Sequence, residues 1–146
     1  MDERHGPGPQ DAARLTEPDW VRDVDTAAQH GPMRADISNA MVGLMKEYYG
    51  KGPTKAKSYI NDNYVFCVME GGLTRNEETL LKTGQETLVR EYRLRFQEAM
   101  AGTTMEAVAR ITGRQVLTYH SQIVFEPERA FEIFVLDSPP RGSAPA

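Results

Sequence analysis

The sequence predicts an α+β domain: a four-stranded antiparallel sheet with helices packed on one face, in the order α-β-β-α-α-β-β. Three observations predict it. Apolar residues recur at helical spacing over 37–48 and 88–111. Four short runs, at 55–60, 64–69, 116–124 and 131–136, read as strands, and each neighbouring pair is joined by turn-forming residues. Helices on one face is the economical packing, because every element has one stripe or face to bury.

The first helix rests on Ile37, Ala40, Met41, Leu44 and Tyr48, with Asp36 or Ser38 as its N-cap. Gly50 ends it as a C-cap, and Gly52-Pro53 forbids continuation. From Lys55 to Ile60, Lys55, Lys57 and Tyr59 alternate with Ala56, Ser58 and Ile60, as in an amphipathic strand. Asn61-Asp62-Asn63 suits a tight hairpin. Tyr64 to Met69 is apolar on both faces, which predicts an interior strand. Gly71-Gly72 breaks it, and Thr74 with Glu77 forms a capping box for a short helix to about residue 82. Leu88, Val89, Tyr92, Phe96, Met100, Val108 and Ile111 then lay one stripe along a long helix, which Gly102-Thr103-Thr104 kinks or divides and Gly113 closes. Val116–Val124 and Phe131–Leu136 are strands joined by Phe125–Arg129. The two halves rhyme, and a duplicated α-β-β unit is one reading of that rhyme. The expected core includes Val65, Phe66, Val68, Phe131, Ile133 and Val135.

With 146 residues, the chain suits one domain, expected over 34–137, between polar tails at 1–33 and 138–146 that lack the apolar surface to fold. Trp20 and Val21 stand out in the first tail. A net charge of −4 gives no global positive field for nucleic acid or anionic lipid. The single cysteine, Cys67, excludes an internal disulfide and reads as a small buried hydrophobe. Neither an apolar leader nor a run of ~20 apolar residues is visible, so the expectation is a cytoplasmic protein without direct membrane insertion. No metal-ligand spacing and no cofactor motif emerges.

Gly50-Lys-Gly-Pro-Thr-Lys-Ala-Lys57 invites a phosphate-binding reading, but its glycines follow a helix, whose negative dipole end would face the anion. Lys51, Lys55, Lys57 and Tyr59, with Tyr64 nearby, form the candidate binding edge, either for a macromolecule or simply as lysines that discourage strand-edge aggregation. Arg90, Arg93, Arg95, Arg110 and Arg114 among Glu86, Glu91, Glu98 and Glu106 read as a solvated helix face. His120 and Ser121 are adjacent, hence on opposite sides of a strand, and no carboxylate is placed to orient the imidazole. Glu70 and Asp137 are sufficiently explained as strand ends. No catalytic set is legible.

The run Ile37–Ala56, with Glu70–Thr74, Phe96–Met100, Thr112–Arg114 and Phe134–Leu136, resembles the MpsC-like family of bacterial proteins, a component of a sodium-translocating, membrane-potential-generating system. The signature residues are Tyr49, Gly50, Gly52, Pro53, Thr54, Lys55 and Ala56, followed by Glu70, Gly71 and Gly72. The resemblance spans about 34–137 and departs at Ala101–Thr104, where relatives look more continuously helical. It implies a cytoplasmic accessory protein associated with membrane subunits for cation or bicarbonate uptake, with no catalytic residues to carry over. The expected function is therefore a non-enzymatic interaction module whose expected partner is a protein of a membrane transport complex. The alternative is a regulatory nucleic-acid or nucleotide-binding module on the same basic edge. A homodimer through an unpaired strand edge is a further expectation.

Overall fold

The computed structural model describes residues 30–141. Helix α1 (Gly31–Tyr49) begins upstream of the expected domain start, with Pro32 presetting its first turn. His30 occupies the N-cap position without a side-chain cap, so neither Asp36 nor Ser38 plays that part. Ser38 lies two turns inside the helix and its Oγ sits 2.6 Å from Ser58 Oγ, tying α1 to the first strand. Ile37, Met41 and Met45, four residues apart, form the buried stripe. Gly50 adopts φ 77° and donates its N–H to the Lys46 carbonyl, a left-handed cap that glycine tolerates freely.

Strands β1 (Lys55–Asn61) and β2 (Tyr64–Glu70) form a hairpin through Asp62, itself at positive φ. Helix α2 (Arg75–Lys82) opens on the predicted capping box. The long helical stripe is two helices, α3 (Glu86–Ala99) and α4 (Ala101–Thr112), broken at Met100 just ahead of Gly102. Strands β3 (Val116–Phe125) and β4 (Glu128–Leu136) extend further toward each other than the expected loop, leaving Glu126-Pro127 as the link. The sheet is antiparallel throughout in the order β1-β2-β4-β3, which makes β2 interior, as its apolar run requires. The α1-β1-β2 and α4-β3-β4 halves thus meet through β2 and β4, and both helices end on a left-handed glycine, Gly50 and Gly113.

One sheet face packs on the helices. Ile60, Val65, Cys67, Met69, Phe134 and Leu136 meet Ile37, Met41, Met45 and Val108 there. Each such side chain contributes roughly 1.5–3 kcal/mol through burial. Cys67 lies at the centre, opposite Ser58 on one side and Glu132 on the other, and is fully buried. Burial also pushes its thiol up to about 11.

The opposite face corrects the expected core. Side chains alternate along a strand, so β2 and β4 send half of theirs away from the helices. Phe66 and Ile133 remain 36% and 40% exposed, and Tyr64 49% exposed. Beyond β4, Arg141 N–H bonds the Thr112 carbonyl and Arg114 Nε bonds the Pro139 carbonyl, so residues 138–141 belong to the folded unit. The expectations for 1–29 and 142–146 lie outside the described residues.

Candidate functional site

Lys55, Lys57 and Tyr59 project from β1 onto the uncovered face. Lys57 Nζ stands 5.3 Å from the Tyr59 ring centre, and that ring stacks on Phe66 at 4.9 Å. Phe66 is opposite Ile133, and Tyr64 is opposite Val135. The result is an aromatic and aliphatic centre with a basic border. At the Lys55 end a shallow groove of about 430 Å³ runs between Lys55, Lys57, Val68, Glu70 and Arg129. Arg129 and Glu70 pair there at 3.2 Å. His120 is exposed opposite Ile133, while Ser121 turns inward to Glu132.

Lys51 stands apart from Lys55 and Lys57. Its Nζ donates to the Leu73 carbonyl at 3.0 Å, which fastens the loop after α1 to the loop before α2. Signature residues build the same joint. Thr54 N–H bonds the Glu70 carbonyl, and Gly72 lies against Pro53. Gly71 has φ 76°, and a Cβ added there would fall 2.2 Å from Thr54 Oγ1. A side chain at that position faces both backbone strain and collision. Gly71 N–H also donates to Glu128 Oε1. Gly50 caps α1, Gly52 fits against Val42 and Lys46, and Ala56 packs on the main core.

The joint closes on Arg93. Its guanidinium bonds both carboxylate oxygens of Glu77 and the Gly72 carbonyl, and its Cζ lies 3.8 Å from the Tyr49 ring centre. Burial raises the Glu77 carboxyl, but bonds from Arg93 and Thr74 outweigh it and hold the group below its ordinary value. Burial likewise disfavours the Arg93 cation, yet Glu77 more than offsets this. The pair is ionised and almost wholly buried. Burial pushes the Tyr49 hydroxyl up to about 12. This assembly is an architectural clasp in which the charged groups are turned to one another, while the buried Tyr49 hydroxyl has no hydrogen-bond partner among the described residues.

A second buried group lies further along the sheet. Glu132, with no exposed surface, is within hydrogen-bond distance of Tyr119 Oη (2.6 Å) and Ser121 Oγ. Tyr119 Oη is also 2.9 Å from Gln97 Oε1. A phenol has one hydrogen, so it cannot donate to a carboxylate and to an amide oxygen together. A protonated Glu132 donating to Tyr119, which then donates to Gln97, satisfies both contacts. Burial pushes this carboxyl up to about 7 against the lowering influence of Ser121, Tyr119 and Arg93.

Arg93, Gln97 and Glu132 escape the sequence reading, although each carries a signal. Arg93 and Gln97 continue the four-residue stripe begun by Val89, and all three are buried. Glu132 alternates in phase with Phe134 and Leu136. A charged residue in a buried register is the sign to seek. The Arg93 assignment to a solvated helix face is thereby corrected; Arg90, Arg95 and Arg110 do make surface i,i+4 pairs.

On the helical side, a groove of about 450 Å³ separates α2 from α3, bordered by Thr74, Leu80, Leu88 and Tyr92. Among the described residues, no three His, Cys, Asp or Glu side chains gather as metal ligands, and no helix is long and apolar enough to cross a membrane.

Comparison with known proteins follows the same span. A family described as "Na+-translocating membrane potential-generating system (MpsC)" matches residues 29–138. The chain is similar to the uncharacterized protein YrhF of Bacillus subtilis (strain 168), 26% identical over 96 residues, which cover 64% of this chain and 79% of that protein. No solved structure matches.

Proposed function

The chain belongs to the MpsC family, and from that premise we propose that it is a non-enzymatic accessory component of a Na+-linked membrane system, acting by docking onto a protein partner through its uncovered sheet face. One observation carries the reading. β2 is apolar on both sides, the pattern of a strand covered on both, yet among the described residues helices cover only one. A contiguous apolar area bordered by lysines is characteristic of an interaction site. The partner it fits is a protein segment that sets aromatic or aliphatic side chains among carboxylates, the complement of Phe66 and Ile133 bordered by Lys55, Lys57 and Arg129.

Photo-cross-linking in the native cell provides the test, with the photoreactive residue placed at Tyr64 or, as a helical-side control, at Leu88. The expected result is a discrete protein adduct from Tyr64 alone, carrying an acidic and apolar segment at the linked site and lost in the Lys55→Glu/Lys57→Glu chain. Equal adducts from both positions, or an adduct indifferent to the charge reversal, would overturn the reading.

A further inference from the structure

We infer that the segment Glu17-Pro-Asp-Trp-Val-Arg-Asp-Val-Asp25 of this same chain occupies the uncovered sheet face when no partner does, an inference that rests on reading that face as a docking surface. Charge supplies the first argument. Residues 1–29 hold seven acidic and three basic side chains, a formal −4, which equals the net charge of the whole chain. The rest of the chain is balanced. The acidic excess therefore resides in one segment, and the sheet face presents Lys55, Lys57 and Arg129 with Glu70 as their nearby acid. Opposite charges brought together across a partly desolvated face attract, and the attraction fixes register.

Composition supplies the second. Trp20 is the only tryptophan of the chain and sits beside Val21, flanked by Glu17, Asp19, Asp23 and Asp25. An apolar pair among carboxylates is the inverse of an apolar centre among lysines. Tyr59, Tyr64, Phe66 and Ile133 offer an area on which an indole stacks with its polar edge toward water.

Reach and direction supply the third. α1 and β1 are joined by the short 50–54 loop and tied by Ser38 to Ser58, so they run in opposite directions. His30 therefore lies toward the Asn61–Tyr64 turn, the end of the sheet where Tyr59, Tyr64 and Phe66 cluster. The ten residues from Trp20 to His30 span at most ~35 Å when extended. A seven-residue strand is roughly 23 Å long. A chain entering over the hairpin thus places Trp20 on the aromatic cluster, with Asp19 and Glu17 beyond it toward Lys57, Lys55 and Arg129. The segment holds the face by the same chemistry as the partner, and the partner must displace it.

Trp20 reports on this directly, in the purified chain of residues 1–146 and without any partner. At low salt, its emission is expected to be blue-shifted and its acrylamide quenching several-fold weaker than in a synthetic peptide of residues 10–29. Phe66→Glu and Lys55→Glu/Lys57→Glu should each restore peptide-like quenching, whereas Leu88→Glu should not. Raising the salt to 1 M should weaken the protection, since screening then acts over about 3 Å. Peptide-like quenching in the unaltered protein overturns the inference, as does protection lost only in Leu88→Glu. Protection that tracks a monomer–dimer transition in sedimentation overturns it in favour of a second copy. Failure here leaves the cross-linking result standing, and a missing cross-link leaves the fluorescence result standing, so the two readings fail separately.

Discussion

Glu132 shows how one residue in a buried register sets a property of the whole chain. Its carboxyl titrates near 7 when folded and close to the ordinary glutamate value when unfolded. The folded state therefore binds the proton more tightly. The associated stability is fully present below the unfolded value, declines as pH rises through about 7, and then levels off. The loss is at most roughly 3–4 kcal/mol. Glu132→Gln should abolish this slope, since an amide donates to Tyr119 as the acid does. Urea denaturation at pH 5, 6, 7 and 8 provides the check, and an unchanged slope in the variant would place the titration elsewhere. Glu77 has the opposite sign, because its carboxyl is lowered by Arg93 and Thr74. Its contribution disappears only as pH falls through the acid range, so the two effects occupy separate windows.

Among the elements, α2 is the most dependent on its neighbours. Eight residues are too few to be helical alone in water. Thr74 supplies the start: its Oγ1 accepts from Glu77 N–H, while Glu77 Oε1 accepts from Thr74 N–H at 2.9 Å. The same carboxylate also receives Arg93, so cap and clasp share one residue. Thr74→Ala should cost about 1 kcal/mol, with Thr74→Ser nearly neutral. Amide exchange within Arg75–Lys82 should accelerate in the alanine variant more than exchange in β2; uniform acceleration would mean that α2 does not open by itself. The capping box was legible in sequence because both partners are three residues apart. The break at Met100 was legible only in outline: Gly102 announces weakness, but where the turn fails is decided by how α3 and α4 each pack.

At the scale of the molecule, the sheet order and the helical layer of the described residues follow from patterns local in sequence: the alternation of Lys55–Ile60, the turn at Asn61–Asn63 and the doubly apolar β2. The clasp does not, because Tyr49, Gly72, Glu77 and Arg93 meet only after three loops and helices have been placed. Phe66 and Ile133 were misread for a related reason, since a period-two pattern says that a face is apolar without saying what lies on it. The signature glycines were read as a group, and the structure makes them a joint that Lys51 fastens, while leaving Lys55 and Lys57 to the surface. Cys67, midway along β2 with strands on both flanks, turns this architecture into a clock. Its sulfur faces the helices and meets a modifying reagent only when they lift from the sheet or the domain unfolds, so alkylation of the native protein should run ~10³-fold or more slower than in urea. The ratio of the two rates reads the opening equilibrium from inside the protein, without a dye or an added label.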